Sequence, residues 1–350
     1  MADCTGANTD AAIDACRKVI DNRRVPRDVL VMAYNNRAAA LLLRNNVDGA
    51  ISDLNEAIRL DPRNLAGIQI RSMAFARRSD FERAIQDITT VINQQPDNVT
   101  AIRERGTYHQ RRGDLESALT DLNTVIERNA QDAVAFFHRA QIFVQRRQDD
   151  RALADLDATL RLNGRNLSAL TERINLRLRQ NDLPRALTDL DAAIGLDPRN
   201  LPFLMLRVRL NIEAGRPQQA LVDLNAAIAI DRNNVELLMQ RALLHWQAGD
   251  APRTIADLTI IIQRNPRNGE AFRIRGLAHA RRGDAERTIA DLTQAIALNV
   301  RTAEIFVTRG EAHARRTQNQ MAIADFRAAL QLDPNHLPAR DALRRLGQTN

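Results

Sequence analysis

The sequence predicts an all-α fold, a solenoid of stacked helix-turn-helix hairpins, and three observations carry that prediction. An arginine recurs nine times at an unbroken interval of 34 residues, as Arg37, Arg71, Arg105, Arg139, Arg173, Arg207, Arg241, Arg275 and Arg309. An aspartate follows each arginine by 16 residues, as Asp53, Asp87, Asp121, Asp155, Asp189, Asp223, Asp257, Asp291 and Asp325. Each interval also holds two stretches of helical apolar spacing separated by turn residues. A period without insertion means one structural unit repeated and stacked, each unit burying its apolar face against its neighbours.

The unit from Val31 to Asn64 shows the pattern. Tyr34, Arg37, Ala38 and Leu41 fall at i, i+3, i+4 and i+7, one face of a helix. Asn45 and Asn46 interrupt it, and the second helix presents Ala50, Leu54, Ala57 and Ile58 inward before Asp61-Pro62-Arg63-Asn64 stops it. Proline stops recur at Pro96, Pro198, Pro266 and Pro334. The hairpin turns carry Gly113, Gly215, Gly249 and Gly283, where a left-handed backbone ends the first helix at little cost. Small residues recur at Ala50, Ala84, Ala118, Ala152, Ala186, Ala220, Thr254, Thr288 and Ala322, as close helix crossing demands.

These ladders give the domain plan. Residues 1–30 form a capping segment whose helix runs through Ala12 to Ile20, and residues 337–350 form a second cap with a lone helix from Leu337 to Leu346. Between them lie nine units, 31–64, 65–98, 99–132, 133–166, 167–200, 201–234, 235–268, 269–302 and 303–336, with no domain boundary inside the array.

At this point the chain resembles the tetratricopeptide repeat family over Val31 to His336. The period, the turn register and ladders such as Phe272, Gly276 and Leu292 carry the resemblance. The chain departs from the family where leucine is usual and arginine stands in every unit, and so resembles the branch with an Arg and Asp pair. It departs again at the usual tyrosine, occupied by Leu41, Phe75, His109, Phe143, Arg177, Asn211, His245, His279 and His313. The resemblance implies a right-handed superhelical solenoid and a protein-interaction scaffold rather than an enzyme, with no cofactor. The placement of Cys4 and Cys16 around an opening helix is similar to secreted or periplasmic tetratricopeptide proteins of alphaproteobacteria.

Composition narrows the alternatives. The chain has 350 residues, a formal charge of +7, 44% apolar residues and only 3% aromatics, which suits many thin helical interfaces. Lys18 is the only lysine, so the positive charge is arginine, a bias of the kind a GC-rich bacterial genome imposes. Nucleic-acid binding is disfavoured, because no basic run is interleaved with stacking aromatics. No window approaches the roughly 18 apolar residues of a membrane span. The two cysteines precede the first full unit. Either they are free thiols of a cytoplasmic protein or they close a disulfide in a periplasmic or secreted one, its signal peptide removed.

The inward phase of the Arg and Asp ladders predicts structural ion pairs that fix helix register, against the alternative of an arginine track for phosphates. His245, His279 and His313 form a second ladder, but equivalent positions on stacked helices are about 8 to 10 Å apart, too far for one zinc. No catalytic motif is present, so catalytic and metal residues are expected to be none. The resemblance places first helices on the concave face, and in the middle units the residues expected there are apolar: Phe137, Val144, Leu178, Met205, Ile212, Met239, Leu243 and Trp246. Arg209, Arg273 and Arg281 could hold an acidic flank of a peptide lying on them. The competing reading packs the apolar side chains against neighbouring helices. The Lys and Asn set of the carboxylate-clamp branch is missing, with Arg103, Glu104, Thr107 and Thr171 at such sites and Asn175 and Arg273 alone not rebuilding it. The expected function is a peptide-binding scaffold or adaptor. The alternative is a regulatory accessory module of a bacterial envelope polysaccharide or secretion machine. The sequence leaves the oligomeric state open.

Overall fold

The computed structural model describes Cys4, residues 9–22 and residues 24–348. Among these residues the regular structure is twenty α-helices and no strand. The chain divides within one helix, Leu183–Leu196, into two compact units, residues 1–189 and 190–350.

In the first unit an opening helix α1 (Thr9–Asp21) packs on α2 (Arg27–Leu43), which pairs with α3 (Val47–Leu60). Three more hairpins follow: α4 (Leu65–Arg77) with α5 (Phe81–Gln94), α6 (Val99–Arg112) with α7 (Leu115–Arg128), and α8 (Ala133–Gln145) with α9 (Asp149–Leu162). Then comes α10 (Leu167–Arg179), and α11 is the helix Leu183–Leu196 that holds the division. The second unit contains α12 (Leu201–Glu213) with α13 (Pro217–Ile230), α14 (Val235–Gln247) with α15 (Ala251–Arg264), α16 (Gly269–Arg281) with α17 (Ala285–Ala297), and α18 (Ala303–Arg315) with α19 (Asn319–Leu332). The short α20 (Leu337–Arg345) packs on α18 and α19.

Local chemistry sets these bounds. The side chains of Asn64, Asn98, Asp132, Asn166, Asn200, Asn234, Asn268 and Thr302 each accept a backbone N–H of the first turn that follows, which fixes the starts of eight first helices. The first helix of the opening hairpin differs. Pro26 stands at its N-cap with no side-chain cap, and α2 starts at Arg27, four residues before the expected Val31. Proline is tolerated there because a first-turn N–H has no helical partner in any case. In the hairpin turns Asn45, Ser79, Arg147, Asn181 and Thr317 adopt the same left-handed backbone as Gly113, Gly215, Gly249 and Gly283. The turn is therefore one conformation throughout, held by bonds such as Asp114 N–H to His109 C=O at 2.9 Å, and glycine makes it cheaper without being required.

The ladders meet in the core. Ala50, Ala84, Ala118, Ala152, Ala186, Ala220, Thr254, Thr288 and Ala322 have no exposed surface. Leu54, Ile88, Leu122, Leu156, Leu190, Leu224, Leu258, Leu292 and Phe326 are buried one turn later. Phe326 shows how tight the crossing is: a Cβ on Gly310 of the partner helix would lie 2.7 Å from its ring. No described helix is long and apolar enough to cross a membrane.

Candidate functional site

Each ladder arginine lies on a first helix and faces the aspartate of the second helix in its own hairpin. All nine pairs are two-pronged, Nε to Oδ2 and Nη2 to Oδ1, at 2.6–2.9 Å. The aspartates are buried, while the arginines keep an edge in solvent. Hydrogen bonding to Asp53, Asp121 and Asp223 holds the Arg37, Arg105 and Arg207 guanidiniums above their ordinary range. These ions are already paired and leave little for a phosphate.

The exposed edge of the guanidinium does a second job that the sequence reading missed. In seven of the nine, all but Arg37 and Arg105, Nη1 donates to a polar side chain on the second helix of the preceding hairpin: Asn55, Asn123, Asp157, Asp191, Asn225, Thr259 and Thr293, at 2.6–3.1 Å. The register signal was available, since each of these acceptors precedes its arginine by 16 residues, the separation that also joins arginine to aspartate. The varied identities Asn, Asp and Thr hid it.

The position that takes tyrosine in the resemblance is where polar substitutions gather. His109, His245 and His279 are held below the ordinary histidine range chiefly by burial. Arg177 instead donates to Asp189 Oδ2 at 2.7 Å and to the Arg185 carbonyl at 3.0 Å, so Asp189 carries two guanidiniums. Among the described residues no cluster of His, Cys, Asp or Glu is arranged to hold a metal ion.

The first-helix face of residues 1–189 carries polar side-chain contacts alongside apolar groups, Met73 of α4 being 39% exposed at the register position of Leu243. Gln69 donates to Glu104 at 3.0 Å, Arg103 pairs with Asp132, and His138 bonds Gln110 at 3.0 Å. Burial raises the Glu104 carboxyl, and it pushes the Tyr108 hydroxyl up to about 12. Phe137, Val144 and Leu178 sit half-buried on this face.

In residues 190–350 the same face is apolar on α12 and α14. Ile212 is 44% exposed and Leu243 37%, with Met205, Met239 and Trp246 half-buried beside them in sequence register. Trp246, for which the sequence left groove and packing roles open, is half-buried. Arg281, from the next first helix, lies 3.3 Å over its ring and donates to its carbonyl at 3.1 Å, and the ring packs against a core that includes Leu238, Leu258 and Ile274. Arg273 is also committed, to Glu270 at 2.6 Å and Glu304 at 3.3 Å. Of the three arginines assigned to an acidic flank, Arg209 and Arg281 are exposed and form no ion pair among the described residues, and of these two Arg281 is taken up by Trp246. Partners 31 and 35 residues away, Glu304 in the repeat after Arg273 and Trp246 in the repeat before Arg281, contribute to the difference.

At the other end of the chain, Cys4 and Cys16 lie at disulfide distance, S–S 2.06 Å, and pack against Ala33 of α2.

Tetratricopeptide repeat sequence profiles match residues 70–142, 171–235, 239–299 and 303–336, together more than half of the chain. The chain belongs to the tetratricopeptide repeat family. The tetratricopeptide fold supports a protein-interaction scaffold, and the family is generally non-catalytic. No curated protein matches the chain significantly in sequence. Among solved structures, PilF of Pseudomonas aeruginosa is 18% identical with a TM-score of 0.51, covering 62% of this chain and 98% of its own. MamA from Desulfovibrio magneticus RS-1 has a TM-score of 0.44 at 18% identity, covering 49% of this chain and 96% of its own. YrrB, a tetratricopeptide protein described as having an unusual peptide-binding site, has a TM-score of 0.37 at 17% identity, with coverages of 64% and 97%. At these identities the likeness is one of fold.

Proposed function

We propose that the chain is a non-enzymatic scaffold that binds peptide or protein segments along the first helices of residues 190–350. The observation that carries this reading is the pair of solvent-exposed aliphatic side chains, Ile212 and Leu243, on the first helices of consecutive repeats, with two adaptable methionines alongside. Large apolar groups left in water on a polar protein mark contact surfaces, and methionine adapts to varied partners. Arg209 supplies the free cation nearest this stretch in sequence, so the peptides expected are apolar with an acidic flank. Nucleic acid is disfavoured because ladder arginines already cover the faces of Tyr34, Phe136, Phe272 and Phe306 at 5.6–5.7 Å, where bases would stack.

The test is selection from a displayed peptide library with wild-type protein, followed by Leu243→Ser and Ile212→Ser. Both variants should keep the wild-type thermal transition and lose the selected peptides by about tenfold or more. Peptides that bind the double variant equally well would end the reading.

The Cys4 and Cys16 pair favours a second reading, an accessory module in the bacterial envelope, periplasmic or secreted, since disulfides persist in oxidising compartments. Thiol labelling of protein freshly isolated from its native source tests this. Full labelling without a reductant would return the protein to the cytoplasm.

A further inference from the structure

A cavity of about 380 Å³ opens between α18, α19 and α20, lined by Glu311, Ala314, Arg315, Phe326, Ala342, Arg345 and Leu346. It exists because α20 has 9 residues where α18 has 13, so the last turn of a first helix is missing beside the end of α18. The floor is apolar, with Phe326 and Ala342 buried and Leu346 partly so. The charged groups stand at the rim.

Among the described residues Arg315 lacks the contact that its counterparts make, Arg111 lying over the Phe81 ring and Arg179 pairing with Asp149 at 2.7 Å. Arg77 and Arg281 hold the same place in their repeats as Arg315, and each donates to the carbonyl that ends the first helix before it, Leu42 and Trp246. Arg315 makes no such bond among the described residues. Arg345 occupies in α20 the register position of Glu311 in α18, and its one hydrogen bond there is from Nε to the Asp341 carbonyl at 3.4 Å. Neither guanidinium forms an ion pair among the described residues. Two cations therefore border an apolar pocket with donors to spare.

We propose that this pocket binds the C-terminal residue of a partner peptide, its carboxylate between Arg315 and Arg345 and its apolar side chain on Phe326, Ala342 and Leu346. Two guanidiniums against the one carboxylate of Glu311 leave a single positive charge, which matches a monoanion better than a phosphate of charge about −2. Glu311 is an acceptor for the last peptide N–H, a group that a free carboxylate ligand without a peptide bond lacks. The volume lies in the range of small-ligand sites and suits one residue rather than a long segment. The rest of the peptide rests on the reading of the first-helix face as a binding surface; the terminal pocket does not.

N-acetyl-L-leucine, N-acetyl-L-leucinamide and inorganic phosphate, titrated into the full chain by ligand-observed NMR, test the pocket alone. N-acetyl-L-leucine should bind with Kd on the order of 1 mM, as a fragment does. The amide should bind at least about fivefold more weakly, for want of the charge-assisted bonds. Arg315→Gln and Arg345→Gln should each reproduce that loss with an unchanged thermal transition; Arg315→Gln lies outside α20 and keeps the test valid if Arg345→Gln loosens it. Leu243→Ser should change nothing, so failure of the apolar-face reading and failure of the pocket give different results. Equal binding of acid and amide, displacement by phosphate at equal concentration, indifference to both arginine variants, or loss in Leu243→Ser would each overturn the proposal.

Discussion

Residues 1–189 and 190–350 share every buried ladder but differ in what ties one hairpin to the next at the rim. In the first set, polar side chains at the ends of first helices reach back about 30 residues to an acid of the preceding hairpin. Arg78 meets Asp48 at 3.1 Å, Arg112 meets Glu82 at 3.5 Å, Arg146 meets Glu116 at 2.7 Å, and Gln180 meets Asp150 at 3.2 Å. In the second set the equivalent places hold Ala248 opposite Gln218 and Arg282 opposite Pro252, and Arg316 with Glu286 at 3.5 Å is the tie of this kind among the described residues. There the Arg281 guanidinium lies on Trp246, a closer version of the contact of Arg111 with the Phe81 ring at 5.2 Å in the first set. The same neighbouring hairpins can thus be joined by surface ion pairs or by an aromatic contact. Ile212 and Leu243, on α12 and α14, stay 44% and 37% exposed.

The largest expected effect falls on what the two sets share. Asp189→Ala leaves two guanidiniums without their carboxylate and should cost about 3 to 5 kcal/mol in urea denaturation. Asp223→Ala, which deprives one guanidinium rather than two of its buried carboxylate, should cost less, about 2 to 4 kcal/mol, because the arginine edge reaches solvent. Equal losses would show that the second arginine adds nothing.

Trp246→Ala separates the sets. The ring is half-buried, so about 1 to 3 kcal/mol should be lost, below the cost of a fully buried tryptophan. Gln110→Ala, its counterpart in the first set, should stay within about 1 kcal/mol of wild type. A Trp246→Ala protein with unchanged stability and lost peptide binding would show the ring to be a contact residue after all.

Acid should weaken both sets. Burial lowers His109 and His138 in one and His245 and His279 in the other, so the folded chain binds fewer protons than the unfolded chain near pH 6. Their contribution is complete above the unfolded value of about 6.5 and is lost as pH falls through the lower folded values. Urea midpoints at several pH values should fall below neutrality, and His245→Gln with His279→Gln should flatten that fall. A second decline, below the usual aspartate range, should appear in the first set. There Asp80 is lowered by its bond from Arg83 and Asp114 by its bonds from Ser117.

The smallest effect is that of the rim ion pairs. Arg146→Gln should cost about 0.2 to 1 kcal/mol and less at high salt, as exposed pairs do. A loss several times larger would mean that these ties, rather than the buried ladders, hold consecutive hairpins in place.

The helices and their stacking faces were legible because they repeat: a period of 34 and fixed ladders specify each hairpin without any knowledge of its neighbours. Which side chains remain free was not legible. Arg281 looks available within its own helix and is taken up by Trp246, 35 residues away, while Arg273 pairs with Glu270 of its own helix and also reaches Glu304, 31 residues away. Such contacts have no shared residue type from one repeat to the next, so no pattern announces them. The cavity beside α20 was hidden for a related reason, since it depends on where a helix stops.

The guanidinium that joins its own aspartate 16 residues ahead also reaches an acceptor 16 residues behind. A copied hairpin therefore arrives with one half of a joint at each end, and it fits its neighbours wherever it is inserted. A single added residue in the connection between hairpins would break the backward bond while leaving the forward one intact. Duplication of whole repeats keeps both bonds whereas a small insertion breaks one, which fits the eight successive 34-residue intervals without an insertion.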